Sequence, residues 1–152
     1  VAELISRQEH DVDVDFWGFA LQDADDRQVP VRFPEGFQRG PFLAAHPGRL
    51  DFTSAAHTHT VTFTVEVWDA EPPIPSGDWE ATATADVFTS SGQLRARSVA
   101  GGPMPDRIPL ADHASNWSVR VVCTGRQAVA EHDEEDLPDG IEQYIAQFWP
   151  AP

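Results

Sequence analysis

Thr60-Val61-Thr62-Phe63-Thr64-Val65-Glu66-Val67-Trp68-Asp69-Ala70-Glu71-Pro72-Pro73 is the stretch that decides the fold. Val61, Phe63, Val65 and Val67 fall on every second position, and Thr60, Thr62, Thr64 and Glu66 fill the positions between. Side chains along a strand alternate between faces, so this run predicts a strand with an apolar face and a polar face. β-Branched residues on both faces favour the extended chain. The paired prolines at 72 and 73 cannot donate ladder hydrogen bonds, so the strand ends before them.

The same period recurs on both sides. Upstream, residues 42–45 and 49–53 flank His46-Pro47-Gly48 and predict a hairpin. Further back, Val12, Val14 and Phe16 alternate with Asp11, Asp13 and Asp15, and the phase changes at Trp17-Gly18-Phe19, where a bulge or bend is expected. Residues 23–27 read as a turn, and residues 31–40 as irregular. Downstream, residues 79–87 place Ala81, Ala83, Ala85 and Val87 on one face. Ser90-Ser91-Gly92 turns the chain into Leu94 and Ala96, alternating with Arg95 and Arg97. The proline-rich residues 101–109 read as a loop. Trp117, Val119, Val121 and Cys123 form the next apolar face, residues 130–139 an acidic loop, and residues 143–149 the last strand. The prediction is an all-β, antiparallel β-sandwich of about 7–8 strands with little helix, as a single acidic domain over residues 1–152.

The composition narrows the function classes. Twenty-five acidic residues stand against ten basic ones, all arginine, for a net charge of -15 over 152 residues. Such a charge repels bare nucleic acid and anionic membranes and favours a basic protein partner. No run of 18 apolar residues exists to span a bilayer. Cys123 is the one cysteine, so no internal disulfide is expected, which suits a reducing compartment. No signal-peptide pattern is evident, and the expectation is a cytoplasmic protein without a cofactor.

Three landmarks carry a resemblance. They are residues 61–68 leading into Asp69-Ala70-Glu71-Pro72-Pro73, the strand opened by Trp79, and the closing Tyr144-Ile145-Ala146-Gln147-Phe148-Trp149-Pro150. Together, over residues 42–150, the chain resembles small bacterial proteins related to the competence protein ComJ. The resemblance implies a β-sandwich and the inhibition of a nuclease. It assigns no residue to that role.

Two acidic groups are candidates for meeting a basic partner. One is the row Asp11, Asp13 and Asp15, whose members lie about 6.6–6.8 Å apart along a strand. The other is Glu131, Asp133, Glu134, Glu135 and Asp136. Either could imitate phosphates, and the plainer alternative is a solvated face and loop. An EF-hand reading fails because Phe16 stands where the loop needs glycine. His57-Thr58-His59 is the candidate metal pair, with His46, Glu66 or His113 as third ligand, against the plainer reading of strand-edge histidines. There is no Gly-x-Ser-x-Gly, and Cys123 sits on an apolar face that suits an inert thiol. Trp117 and Trp79 are expected in the core. Trp17, Trp68 and Trp149 fall at phase changes or strand ends, where an exposed indole could stack on a sugar or on a partner's arginine, against the plainer reading of core or rim packing. A protein-binding inhibitor is therefore the first expectation. A carbohydrate- or small-ligand-binding sandwich and a His-x-His metalloprotein are the alternatives.

Overall fold

The decisive stretch forms β5 (His59–Trp68), with Val61, Phe63, Val65 and Val67 all buried. The computed structural model describes residues 1–25 and 40–152. Its other elements are β1 (Leu4–Val14), β2 (Gly18–Asp23), β3 (Leu43–His46), β4 (Arg49–Thr53), β6 (Ala81–Thr89), β7 (Gln93–Ser98), β8 (Gly102–Pro109), β9 (Ser115–Thr124), α1 (Arg126–Glu131) and β10 (Gln143–Pro150). A single 3-10 turn spans Glu134–Asp136.

Two five-stranded sheets result, ordered β1-β5-β10-β9-β6 and β3-β4-β2-β7-β8. Their inner faces share one apolar cluster. Aromatic rings fill its middle. Phe19 stacks on Phe52 with centroids 4.8 Å apart, and meets Tyr144 edge-on at 5.2 Å. Such offset and edge geometries suit the ring quadrupoles. The hairpin of β3 and β4 turns at Pro47-Gly48, with Gly48 at φ 71. The chain thus has ten strands among the described residues rather than 7–8. Every pairing is antiparallel except β5 with β10, which is parallel.

The two uncounted strands have clear causes. β2 is buried at every position, so its residues show no alternation to read. β8 carries Pro103, Pro105 and Pro109 and lies at a sheet edge, where a missing N–H is tolerated. The β7–β8 register also shifts between Arg95 and Arg97. Residues 101–109 are therefore a strand, not the expected loop. Residues 130–139 are not all loop either, because α1 and the 3-10 turn occupy part of them. The irregular stretch 31–40 lies outside the described residues except for Gly40.

Phe16 corrects a further expectation. It does not continue the buried face of Val12 and Val14 but is 43% exposed. β1 ends at Val14, and Asp15 bridges Gly18 across a tight turn with Phe16 at φ 49 and Trp17 at φ 67. This turn carries the chain from the first sheet into the second. Positive φ at two central positions matches the hairpin turns that follow strand twist, though Asn and Gly are their usual occupants. Trp117 is buried as expected, at 6% exposure, whereas Trp79 is only half-buried and donates its indole N–H to Pro75 O at 2.8 Å.

Candidate functional site

One end of the first sheet gathers most of the predicted acidic residues. Asp11 and Asp13 project from the solvent face of β1 and are exposed. Asp13 pairs in register with Thr60 of β5 and accepts from its hydroxyl at 3.1 Å. On the other side of β5, Gly140 N donates to Thr60 O at 2.9 Å. Strands lie ~4.7–4.9 Å apart, so the β1 row and the approach to β10 stand roughly 10 Å from one another. That approach is the end of the acidic run. Glu131 closes α1, Asp133 caps the 3-10 turn by accepting from Glu135 N, and Glu135, Asp136 and Asp139 are exposed. Glu134 belongs to the same turn. Glu80, exposed before β6, adds to this end. It accepts from Gln127 N at 2.8 Å and Gly125 N at 2.7 Å, and those bonds hold its carboxyl below the usual range.

Asp15 departs from the row. Its two oxygens accept from Val99 N at 2.6 Å and Ala100 N at 2.9 Å, fastening the β7–β8 turn to the end of β1. The tight turn beside it presents aromatic surface. Phe16 and Trp17 meet the His57 ring edge-on, with centroids 5.2 and 5.7 Å away. Backbone bonds fix this arrangement. Trp17 N donates to His57 O at 3.0 Å, and Ser54 N to Trp17 O at 2.7 Å. Non-glycine residues at positive φ persist only where their surroundings hold them, and they concentrate at functional surfaces.

The histidines of the 57–59 pair occupy different environments. His57 is half-buried between the aromatic rings, while the His59 side chain has no exposure. The proposed third ligands are engaged elsewhere. His46 meets Asp51 at 3.2 Å and His113 meets Asp112 at 2.8 Å. Glu66 accepts from Arg7, Trp68 and Gln147. Among the described residues no group of three or more His, Cys, Asp or Glu could hold a metal ion.

His59 instead joins a buried polar network that the sequence did not announce. Its Nε2 lies 2.7 Å from Ser54 Oγ, which donates to Glu142 Oε1 at 2.7 Å. Glu142 also accepts from Tyr144 Oη at 2.7 Å, Ala55 N at 3.0 Å and Arg126 at 3.4 Å. Ser, His and Glu within reach of one another suggest a hydrolytic triad, but the order is wrong. A triad histidine stands between serine and carboxylate and removes the serine proton. Here the serine stands in the middle, its single proton goes to the glutamate, and the histidine donates to the serine oxygen. Ser54 and Glu142 have no exposure at all. The arrangement satisfies buried polar groups rather than activating a nucleophile. Burial, then the nearby Glu142 charge, pushes the Tyr144 and Cys123 ionisations well up, which keeps both groups protonated.

Of the strand-end tryptophans, Trp149 carries the Arg120 guanidinium 5.4 Å from its ring centroid, and Trp68 donates to Glu66 at 3.0 Å. No helix among the described residues is long and apolar enough to cross a membrane.

Taken together, these elements define a two-sheet β-sandwich with one parallel strand pair and an acidic, aromatic-tipped end. Solved structures similar to it in fold include ComJ, the inhibitor of the DNA degrading activity of NucA from Bacillus subtilis, at 13% identity over 99% of both chains with TM-score 0.61. The protein of crocagin biosynthetic gene J is similar at 10% identity, over 100% of this chain and 99% of the other, with TM-score 0.64. The resemblance read from the landmark strands thus holds at the level of fold: the chain has a ComJ-like fold. No family model matches it, and no curated protein matches it by sequence.

Proposed function

We propose that this protein is a protein-binding module that inhibits a basic-surfaced partner, a nuclease being the leading class. The observation that carries this reading is that the exposed Asp11 and Asp13, the 131–139 acidic run and the exposed Phe16 all lie toward one end of the first sheet. Interfaces of this kind combine an aromatic anchor with a charged rim. The rim attracts the basic surface at long range and speeds encounter. Phe16, presented on a turn fixed by backbone bonds, supplies apolar burial with little ordering cost. The likeness to ComJ, whose partner is a DNA-degrading enzyme, supports the nuclease class. The net charge of -15 supports a basic docking surface. Asp15, engaged by two backbone amides, positions the turn rather than facing the partner.

The test is a binding and inhibition screen against basic nucleases at low and raised ionic strength. Affinity is expected to fall steeply with salt. Asp11→Asn/Asp13→Asn is expected to slow association and flatten the salt dependence, and Phe16→Ala to speed dissociation. Binding to no basic protein, or binding indifferent to salt, would overturn the proposal.

A further inference from the structure

The cations of this molecule are not distributed like its anions. Among the described residues Arg7, Arg49, Arg120 and Arg126 each have a carboxylate partner. Arg95, Arg97 and Arg107 have none, although acidic residues outnumber basic ones by 25 to 10. These three share a place. Leu94, Ala96 and Ile108 face the core, so Arg95, Arg97 and Arg107 take the outer face of β7 and β8. Arg95 and Arg107 are directly opposite in register. Like charges paired across strands oppose one another, so this placement costs stability unless something lies between them.

The hydrogen bonding points the same way. Arg95 Nε donates to Met104 O at 2.9 Å, which fixes the plane of its guanidinium and leaves the terminal nitrogens without an acceptor among the described residues. Arg97 reaches Gln22 Oε1 only at 3.4 Å, and its Nε is buried with no hydrogen-bond partner among the described residues. A buried donor on a charged group is costly to leave unsatisfied. Gln22, Arg95, Arg97 and Pro103 line a groove of about 220 Å³. Asp23 also borders it, but its oxygens are taken by Ser90, Ser91 and Asp25 N.

We propose that this groove on the outer face of the second sheet binds a small oxyanion, of the phosphate, sulfate or carboxylate class, between the guanidiniums of Arg95 and Arg97. A guanidinium fork matches two oxygens of such a group. The anion would supply the missing acceptor and offset the charge of Arg95, which faces Arg107 across the strands. The molecule's acidic field disfavours a long polyanion, whereas a small anion meets mainly the local pair, because screening removes most of the field within ~8 Å at physiological salt.

Isothermal titration of the full chain with sodium phosphate, sulfate and acetate, at constant ionic strength made up with chloride, tests this. Saturable one-to-one binding of at least one oxyanion is expected, and the preferred one identifies the source chemistry. Arg97→Gln and Arg95→Gln should each weaken it at least tenfold. Arg95→Lys, which keeps the charge but not the fork, should fall between. Arg7→Gln, on the other sheet, should leave it unchanged. Should Arg97→Gln fail to fold by circular dichroism, the half-exposed Arg95 variants carry the test. Absence of saturable binding for all three anions, or equal affinity in a folded Arg95→Gln, overturns the proposal.

Discussion

The Ser54 hydroxyl donates to Glu142 Oε1 at 2.7 Å, joining residues 88 positions apart in the sequence inside a fully buried site. This bond ties the loop after β4 to the start of β10, and so the second sheet to the first. Removing the carboxylate strands Ser54, Tyr144, Ala55 N and the half-buried Arg126 at once. Glu142→Ala is therefore expected to cost about 3–5 kcal/mol, the range for breaking a buried charged network. Glu142→Gln keeps one acceptor and should cost less. Urea unfolding checks both, read as a lower midpoint at unchanged slope. A loss below about 0.5 kcal/mol for Glu142→Ala, the size of an ordinary surface substitution, would contradict the structural role.

Asp11, Asp13 and Asp15 look alike in sequence and differ in consequence. Asp15 is half-buried and satisfies two backbone amides of the β7–β8 turn. Asp15→Ala is expected to destabilise by roughly 1–3 kcal/mol, as two backbone donors, one part-buried and one exposed, lose a charged acceptor. Asp11→Asn/Asp13→Asn should stay within about 0.5 kcal/mol of the parent. Thermal melts of both variants, set beside partner binding, separate the two roles. Equal melting temperatures would merge them again.

What the sequence revealed follows the distance over which each signal acts. The strands of β5, β9 and β10 and the β3–β4 hairpin were legible because alternation and turn chemistry are local. β2 was hidden because burial on both faces erases alternation, and β8 because three prolines imitate a loop unless the strand is known to be an edge. Two acidic groups were readable as charge. Their meeting at one end depends on Gly140 reaching Thr60, which no local pattern encodes. The departure of Asp15 from its row was equally invisible, since its amide partners lie more than 80 residues away. Ser54 and Glu142 carried no signal and His59 reads in sequence only as half of a metal pair, because such residues become a network only when packing brings them together.

Cys123 offers a probe of the core. It is fully buried, and burial followed by the Glu142 charge pushes its thiol ionisation far up. The thiolate is the reactive form, so the native protein should be unreactive toward a thiol reagent such as DTNB at neutral pH. Reaction should appear with unfolding, and its rate against urea concentration should follow the loss of β structure. Stoichiometric labelling of the native chain within minutes would show that this part of the core opens readily.

Asp23 carries a pH dependence whose sign can be worked out. Burial raises its pKa, but hydrogen bonds from the Ser91 and Ser90 hydroxyls and from Ser90 N and Asp25 N outweigh burial, so the folded value lies below the ordinary 3.8. The unfolded chain then binds a proton more readily than the folded one. The stabilisation is complete above the unfolded value and is lost as pH falls through the folded one. With 25 acidic residues in the chain, the parent protein alone cannot isolate the Asp23 contribution. Asp23→Asn can, because it lacks the charge and turns an amide toward donors that need an acceptor. At pH 7 it should be less stable by roughly 1–3 kcal/mol. The gap between the two proteins should narrow as pH drops below about 4, where the Asp23 contribution is lost through linkage. A gap that stays constant from pH 7 to pH 3 would mean that the Ser90-Ser91 turn does not depend on the Asp23 charge.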